Sequence, residues 1–207
     1  MDAPLGTRSV LLTCAVHPDD PATLALARVL AEGFDTHGHH LLPLPGLDGP
    51  TTQRLMAHWF PQADALLGLN WLTLADAQRA EPRLDEIDDV GGLLRDNAGH
   101  PSASAEQVAA VAHALACACL GHNHLWQDLG LPSRAALSAL IDTWFPALAE
   151  RNDQNMKWKK FFYKQLCLRE ELFICKAPTC GVCTDYAVCF GPEDASTATI
   201  TLHPTAS

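Results

Sequence analysis

The chain has 207 residues, 48% of them apolar and 18% charged. That is the size of one domain with enough apolar surface for a core, and it excludes disorder from end to end. The net charge of −10 argues against nucleic acid as a partner, because that binding rests on Lys and Arg neutralising phosphates.

The N-terminal residues carry one Arg and no long apolar stretch, unlike a signal peptide, so the chain is expected in the cytoplasm. Residues 9–16 suggest a short strand. Residues 21–34 read as a helix, with Asp20 as N-cap, Pro21 at the first position and Leu24, Ala27 and Leu30 along one side. Residues 36–50, rich in Gly, Pro and His, read as a loop. Short helices are predicted over 51–60 and 62–74, split at Pro61. Residues 84–94 are ambiguous, since Gly91-Gly92 weakens a helix. Over 104–120 the signal is clear: Ser104 caps, Gln107 stands at the capping-box position, and Gly121 ends the helix. The apolar run 108–120 is too short for a membrane span and contains His113, so no membrane partner is expected. Further helices are predicted over 132–151 and 155–172, and a short strand over 197–202. The class is mainly α: a single helical domain with an irregular, cysteine-rich C-terminal metal loop.

Charge and cysteine divide the chain in the same place. Residues 1–150 hold seven Arg, no Lys and eighteen acids, for −11, whereas residues 151–207 come to +1. All five lysines fall between Lys157 and Lys176. The organisation read from this is one domain over 1–207, with an acidic helical body (1–150), a basic helix plus cysteine cluster (151–191) and a tail (192–207).

Four of the eight cysteines form the run Cys175, Cys180, Cys183, Cys189, or C-x4-C-x2-C-x5-C. Without an export signal the compartment is reducing, where close-spaced thiols favour metal over disulfide. Soft thiolates select zinc, copper(I) or iron–sulfur clusters. No second knuckle is present to complete an ordinary structural zinc site. The first three cysteines carry the C-x4-C-x2-C spacing of plant-type ferredoxins. From spacing alone an iron–sulfur cluster, zinc, and unligated redox thiols all stay open. On the preceding helix Lys157, Lys160 and Lys164 recur at i, i+3 and i+7, a basic stripe that can stabilise anionic thiolates or a bound oxyanion. A solvated amphipathic face explains the same pattern.

The segment Asn155-Met-Lys-Trp-Lys-Lys-Phe-Phe-Tyr-Lys-Gln-Leu-Cys167, followed by Cys175-x4-Cys180-x2-Cys183-x5-Cys189-Phe-Gly191, closely resembles the C-terminal signature of the NifQ family. The stretch His124-Leu-Trp-Gln-Asp-Leu-Gly-Leu131 and the helix after it are similar to the family too. Within the first hundred residues only His58-Trp-Phe-Pro61 echoes it. The resemblance implies a carrier, not an enzyme. Such a protein supplies molybdenum for the nitrogenase iron–molybdenum cofactor, holding it in a mixed molybdenum–iron–sulfur cluster. Cys175, Cys180, Cys183 and Cys189 are then the ligands. The implied partners are the cofactor-assembly proteins (scaffold or iron protein) and molybdate or another molybdenum source. A zinc-stabilised interaction protein and a simple iron–sulfur electron carrier are the competing readings.

Other groups are weighed against plainer roles. Cys117, Cys119, His122 and His124 have metal-like composition, and His113 and Cys117 share a helical spacing. His124 and Cys119 are candidate extra ligands, although buried cysteine is most often a small hydrophobe. Cys167 is a candidate spare ligand on the same terms. His37, His39 and His40 read as solvated imidazoles, and Asp85, Glu86, Asp88 and Asp89 as a wet surface. The chain has no G-x-S-x-G, P-loop, H-E-x-x-H or dinucleotide-binding glycine motif.

Overall fold

The structure is a computed structural model that describes residues 6–74, 80–171 and 186–193. The described residues are mainly helical and contain no strand. The predicted cysteine loop from Cys175 through Cys183 and the 197–202 strand lie outside them.

The stretch predicted as a strand at 9–16 is helix α1 (Thr7–Cys14). Its β-branched residues mislead, because the buried positions are Thr7 and Leu11, spaced four apart as a helix requires. They face α2 (Pro21–His37), and the Thr7 hydroxyl donates to Asp35 at 2.5 Å. Asp20 caps α2 as predicted, accepting the Thr23 N–H at 2.9 Å. In α2, Leu26, Leu30 and Phe34 are buried.

After the loop comes α3 (Gly49–Trp59), capped by Asp48, whose carboxylate accepts the Thr51 N–H at 2.8 Å. The helix predicted over 62–74 is instead two single turns, α4 (Ala63–Leu66) and α5 (Trp71–Leu74). Gly68, at φ 65, lies between them in a conformation that ends a helix. The ambiguous stretch is a full helix, α6 (Leu84–Arg95). Ile87, Val90 and Leu94, at i, i+3 and i+7, are all fully buried, and that burial outweighs the propensity cost of Gly91-Gly92.

Helix α7 (Ala105–Cys119) is the central element. Its predicted capping box is present: Ser104 Oγ accepts the Gln107 N–H and Gln107 Oε1 accepts the Ser104 N–H. Residues from Ala110 to Ala116 are buried on all sides, because alanine lets α2 and α6 approach the α7 backbone closely. Next come α8 (Leu125–Asp128), α9 (Arg134–Trp144) and α10 (Pro146–Arg151). The helix predicted over 132–151 therefore breaks at Pro146, which lacks the N–H that would continue it. Last are α11 (Trp158–Arg169) and α12 (Tyr186–Phe190). One core runs through the described residues, with α7 packed against both α2 and α6, α1 outside α2, and α11 outside α6. No helix among them is long and apolar enough to cross a membrane.

The loop after α2 presses directly on that helix at Gly33. A Cβ there would lie 2.1 Å from the Pro43 carbonyl oxygen. Gly33→Ala is expected to destabilise the chain by ~2 kcal/mol through overpacking. Urea unfolding measures it, and an unchanged midpoint would contradict this contact.

Candidate metal centre

The cysteine motif reaches the described residues through Cys189, half-buried on α12. Its carbonyl accepts the Lys157 N–H at 2.8 Å, so the last predicted ligand is fixed to the start of α11. The Lys157 ammonium donates to the Ala187 carbonyl at 3.5 Å. Gly191 closes α12 by donating its N–H to the same carbonyl at 2.8 Å, where a Cβ would approach that oxygen to 2.4 Å. Cys175, Cys180 and Cys183 lie outside the described residues.

The predicted lysine stripe takes a different form. Asn155 adopts a left-handed conformation, φ 56, so α11 starts at Trp158 and Lys157 is its N-cap, not a member of the helix. Lys160 and Lys164 are exposed. The lysine that bonds inward is Lys159, which the stripe omits. It donates to the Gly121 carbonyl at 2.8 Å and pairs with Asp128 at 2.5 Å, the two side chains 18% and 11% exposed. This pair ties α11 to the corner after α7. Trp158, Phe161 and Phe162 fill the inner face, and the Trp158 indole donates to Ser138 Oγ at 3.0 Å.

A second ion pair holds the far side of α12. The Glu193 side chain is 5% exposed and accepts Arg134 Nη1 at 2.5 Å. Arg134 Nη2 also donates to the Asn155 carbonyl and side-chain oxygens, each at 2.9 Å, and to the Met156 carbonyl at 3.0 Å. His124 Nδ1 stands 3.9 Å from the same Glu193 oxygen. The structure thus places this candidate ligand beside the C-terminal end of α12, at the N-cap of α8. Sequence reasoning missed Arg134. The available signal was that it is the only Lys or Arg between Arg95 and Arg151.

The remaining candidates scatter. Cys119 is buried, and burial pushes its thiol up to about 12 against the opposing charge of Lys159, which disfavours the thiolate a metal needs. Cys167 is half-buried on α11. His113 is a core residue whose Nε2 lies 2.8 Å from the Pro45 carbonyl. Cys117, His37 and His122 line a different cavity of about 280 Å³, with Asp128 and Arg83. That brings two separately predicted groups to one wall. Even so, among the described residues no three His, Cys, Asp or Glu converge as a metal site. The acidic patch is not all wet surface either. Glu86 accepts the Tyr163 hydroxyl, and burial together with that bond holds the phenol above its usual range.

The described residues define a small α-helical protein that presents a cysteine-bearing C-terminal helix, docked by a buried ion pair and backbone hydrogen bonds. The chain belongs to the NifQ family, whose profile matches residues 25–191. Protein NifQ of Azotobacter vinelandii is 39% identical over 188 residues, covering 87% of this chain and 94% of that protein. Protein NifQ of Rhodobacter capsulatus is 37% identical over 172 residues, covering 82% and 89%. Protein NifQ of Klebsiella pneumoniae is 48% identical over a shorter 81 residues, 39% of this chain and 48% of that protein. No solved structure matches. The family match runs well into the first hundred residues, beyond the His58-Trp-Phe-Pro61 echo.

Arg134→Met leaves Glu193 buried without its cation, and an expected ~3 kcal/mol is lost. Hydrogen exchange over residues 186–193 and thiol labelling of Cys189 should both accelerate, and Glu193→Gln in the same chain should restore much of the protection. Exchange as slow as in the parent chain would refute the anchoring role.

Burial first, with a smaller contribution from Arg95, holds His113 below the ordinary histidine range, against the Pro45 hydrogen bond and Asp88. The unfolded chain takes up a proton near about pH 6.5 that the folded chain refuses. Stability from this residue is therefore full above that pH and is lost as the pH falls toward the folded value. The stability gap between the parent and His113→Gln should narrow from pH 8 to pH 5, and a constant gap in chemical denaturation would rule this out.

Proposed function

We propose that this chain carries molybdenum for assembly of the nitrogenase iron–molybdenum cofactor, on an iron–sulfur cluster held by Cys175, Cys180, Cys183 and Cys189. The observation that carries the reading is that the family match extends to Gly191 and so contains the whole C-x4-C-x2-C-x5-C run. The donor set fits: four thiolates suit iron and sulfide-bridged metals better than hard oxygen-ligated ions. Cys189 supports it further, since it sits half-buried on a helix whose Tyr186 and Val188 are exposed, where a docking protein can reach it.

The protein's own part is mechanical and electrostatic. Arg134, Glu193 and Lys157 hold α12 in place, and Lys160 and Lys164 supply positive charge on the neighbouring helix. The four thiolates would hold the cluster, which when bound would supply sulfide-rich coordination for molybdenum. The chain acts as a cytoplasmic carrier, not a catalyst, and its partners are the cofactor-assembly scaffold or iron protein. His124 and Cys167 are the further candidate ligands beyond the four cysteines.

The test is anaerobic reconstitution with iron, sulfide and molybdate, followed by metal analysis. The parent chain is expected to be brown and to retain iron with molybdenum. Cys180→Ser with Cys183→Ser should lose at least tenfold of both. A colourless protein that holds only zinc, or a double variant that keeps its molybdenum, overturns the proposal.

A further inference from the structure

A second cavity, of about 210 Å³, opens between α3, α6 and the first turns of α7. Its floor is apolar, built from the buried side chains of Leu55, Trp59 and Ala110. Its rim is cationic: Arg54 and His58 come from α3 and Arg95 from the end of α6. Two of the seven cations in a segment of net charge −11 therefore line one hollow. The Arg95 guanidinium makes no hydrogen bond or ion pair among the described residues, although its carbonyl accepts the Ala98 N–H at 3.2 Å.

The polar rim is ordered by its neighbours. Gln107 Oε1 accepts the Ser104 N–H at 2.7 Å, so its amide nitrogen is the group that meets His58 Nε2 at 2.7 Å. That bond makes Nε2 an acceptor and leaves the His58 proton on Nδ1 as a donor. Arg54 donates to Thr51 Oγ1 at 3.2 Å and lies 3.5 Å from the Glu106 carboxylate. Glu106 is the one acid on the rim. Both members of that pair are more than half exposed, so the pair is weak and displaceable.

We propose that this cavity binds a small tetrahedral oxyanion dianion, gripped between the guanidinium groups of Arg54 and Arg95. Guanidinium forks match the paired oxygens of such anions, and an apolar floor strengthens the attraction by lowering the local dielectric. The cation-rich rim excludes a divalent metal. The incoming dianion takes the place of Glu106 on Arg54. The site stands apart from the cysteines and does not rest on the carrier reading. Where that reading also holds, molybdate is the member of this class that the chain meets.

Equilibrium dialysis and calorimetry on the full chain test it, with molybdate, sulfate, phosphate and succinate as separate probes at constant ionic strength. Saturable binding of one tetrahedral dianion per chain is expected. Arg95→Gln and Arg54→Gln should each weaken it at least tenfold, with the helical circular dichroism and thermal midpoint kept as evidence of folding. Glu106→Gln should tighten it severalfold by removing the internal competitor. Cys180→Ser with Cys183→Ser should leave it unchanged, which separates failure here from failure of the cysteine cluster. Binding of succinate alone, binding insensitive to both arginine variants, weaker binding in Glu106→Gln, or no binding overturns the proposal.

Discussion

A buried carboxylate must find a cation, and in this chain the cation comes from 59 positions away. Glu193 follows α12 and is enclosed with Arg134, whose second terminal nitrogen holds the Asn155 and Met156 carbonyls. One guanidinium thus fixes both the turn before α11 and the residues after α12. With the Lys157–Cys189 backbone bond, it sets where the last cysteine of the run stands. A lysine at 134 could satisfy Glu193 but not the turn as well, since an ammonium lacks the planar fork that spans both. The position of Cys189 depends on that fork.

The same economy governs the corner after α7. Alanines let α7 sink between α2 and α6, so its end arrives in the core with Cys119 buried and unable to ionise readily. At Gly121 a Cβ would lie 2.4 Å from Asp128 Oδ2, so only glycine lets the Asp128 carboxylate close over the turn. Lys159 then bridges that carboxylate and the Gly121 carbonyl, which docks α11. A buried ion pair of this kind contributes little net stability against an apolar alternative, but it allows one arrangement of its partners. Its effect here is on placement.

Local signals survived folding and long-range ones were invisible. The Asp20 and Ser104 caps could be read because a side chain and its N–H lie three residues apart. Strand propensity at 9–16 lost to helical burial of Leu11, a tertiary effect that no window of sequence contains. The break at Pro146 was written in the residue itself but was outweighed by the apolar spacing of Leu137, Leu140, Ile141 and Leu148. Asn155 turns left-handed with its oxygens held by Arg134, so Lys157 caps α11 and only Lys160 and Lys164 of the stripe lie on the helix, a boundary set by a contact 21 residues away. The cysteine spacing was plain, whereas the Arg54, His58 and Arg95 rim joins residues from two helices and has no sequence pattern to read.

Helix α7 also links the cationic cavity to the α11–α12 anchor. The cationic cavity lies at the N-terminal end of α7, beside Ser104 and Gln107, and the α11–α12 anchor lies at its C-terminal corner, through Lys159 and Gly121. Helix α7 has 15 residues, which at 1.5 Å each puts about 22 Å between its ends. The two regions meet again through α11, whose last residue, Arg169, lies 3.9 Å from Asp96, the neighbour of Arg95. The body around the cavity carries a net charge of −11 over residues 1–150, which repels a dianion in solution and leaves the arginine-lined hollow as its favourable point of contact.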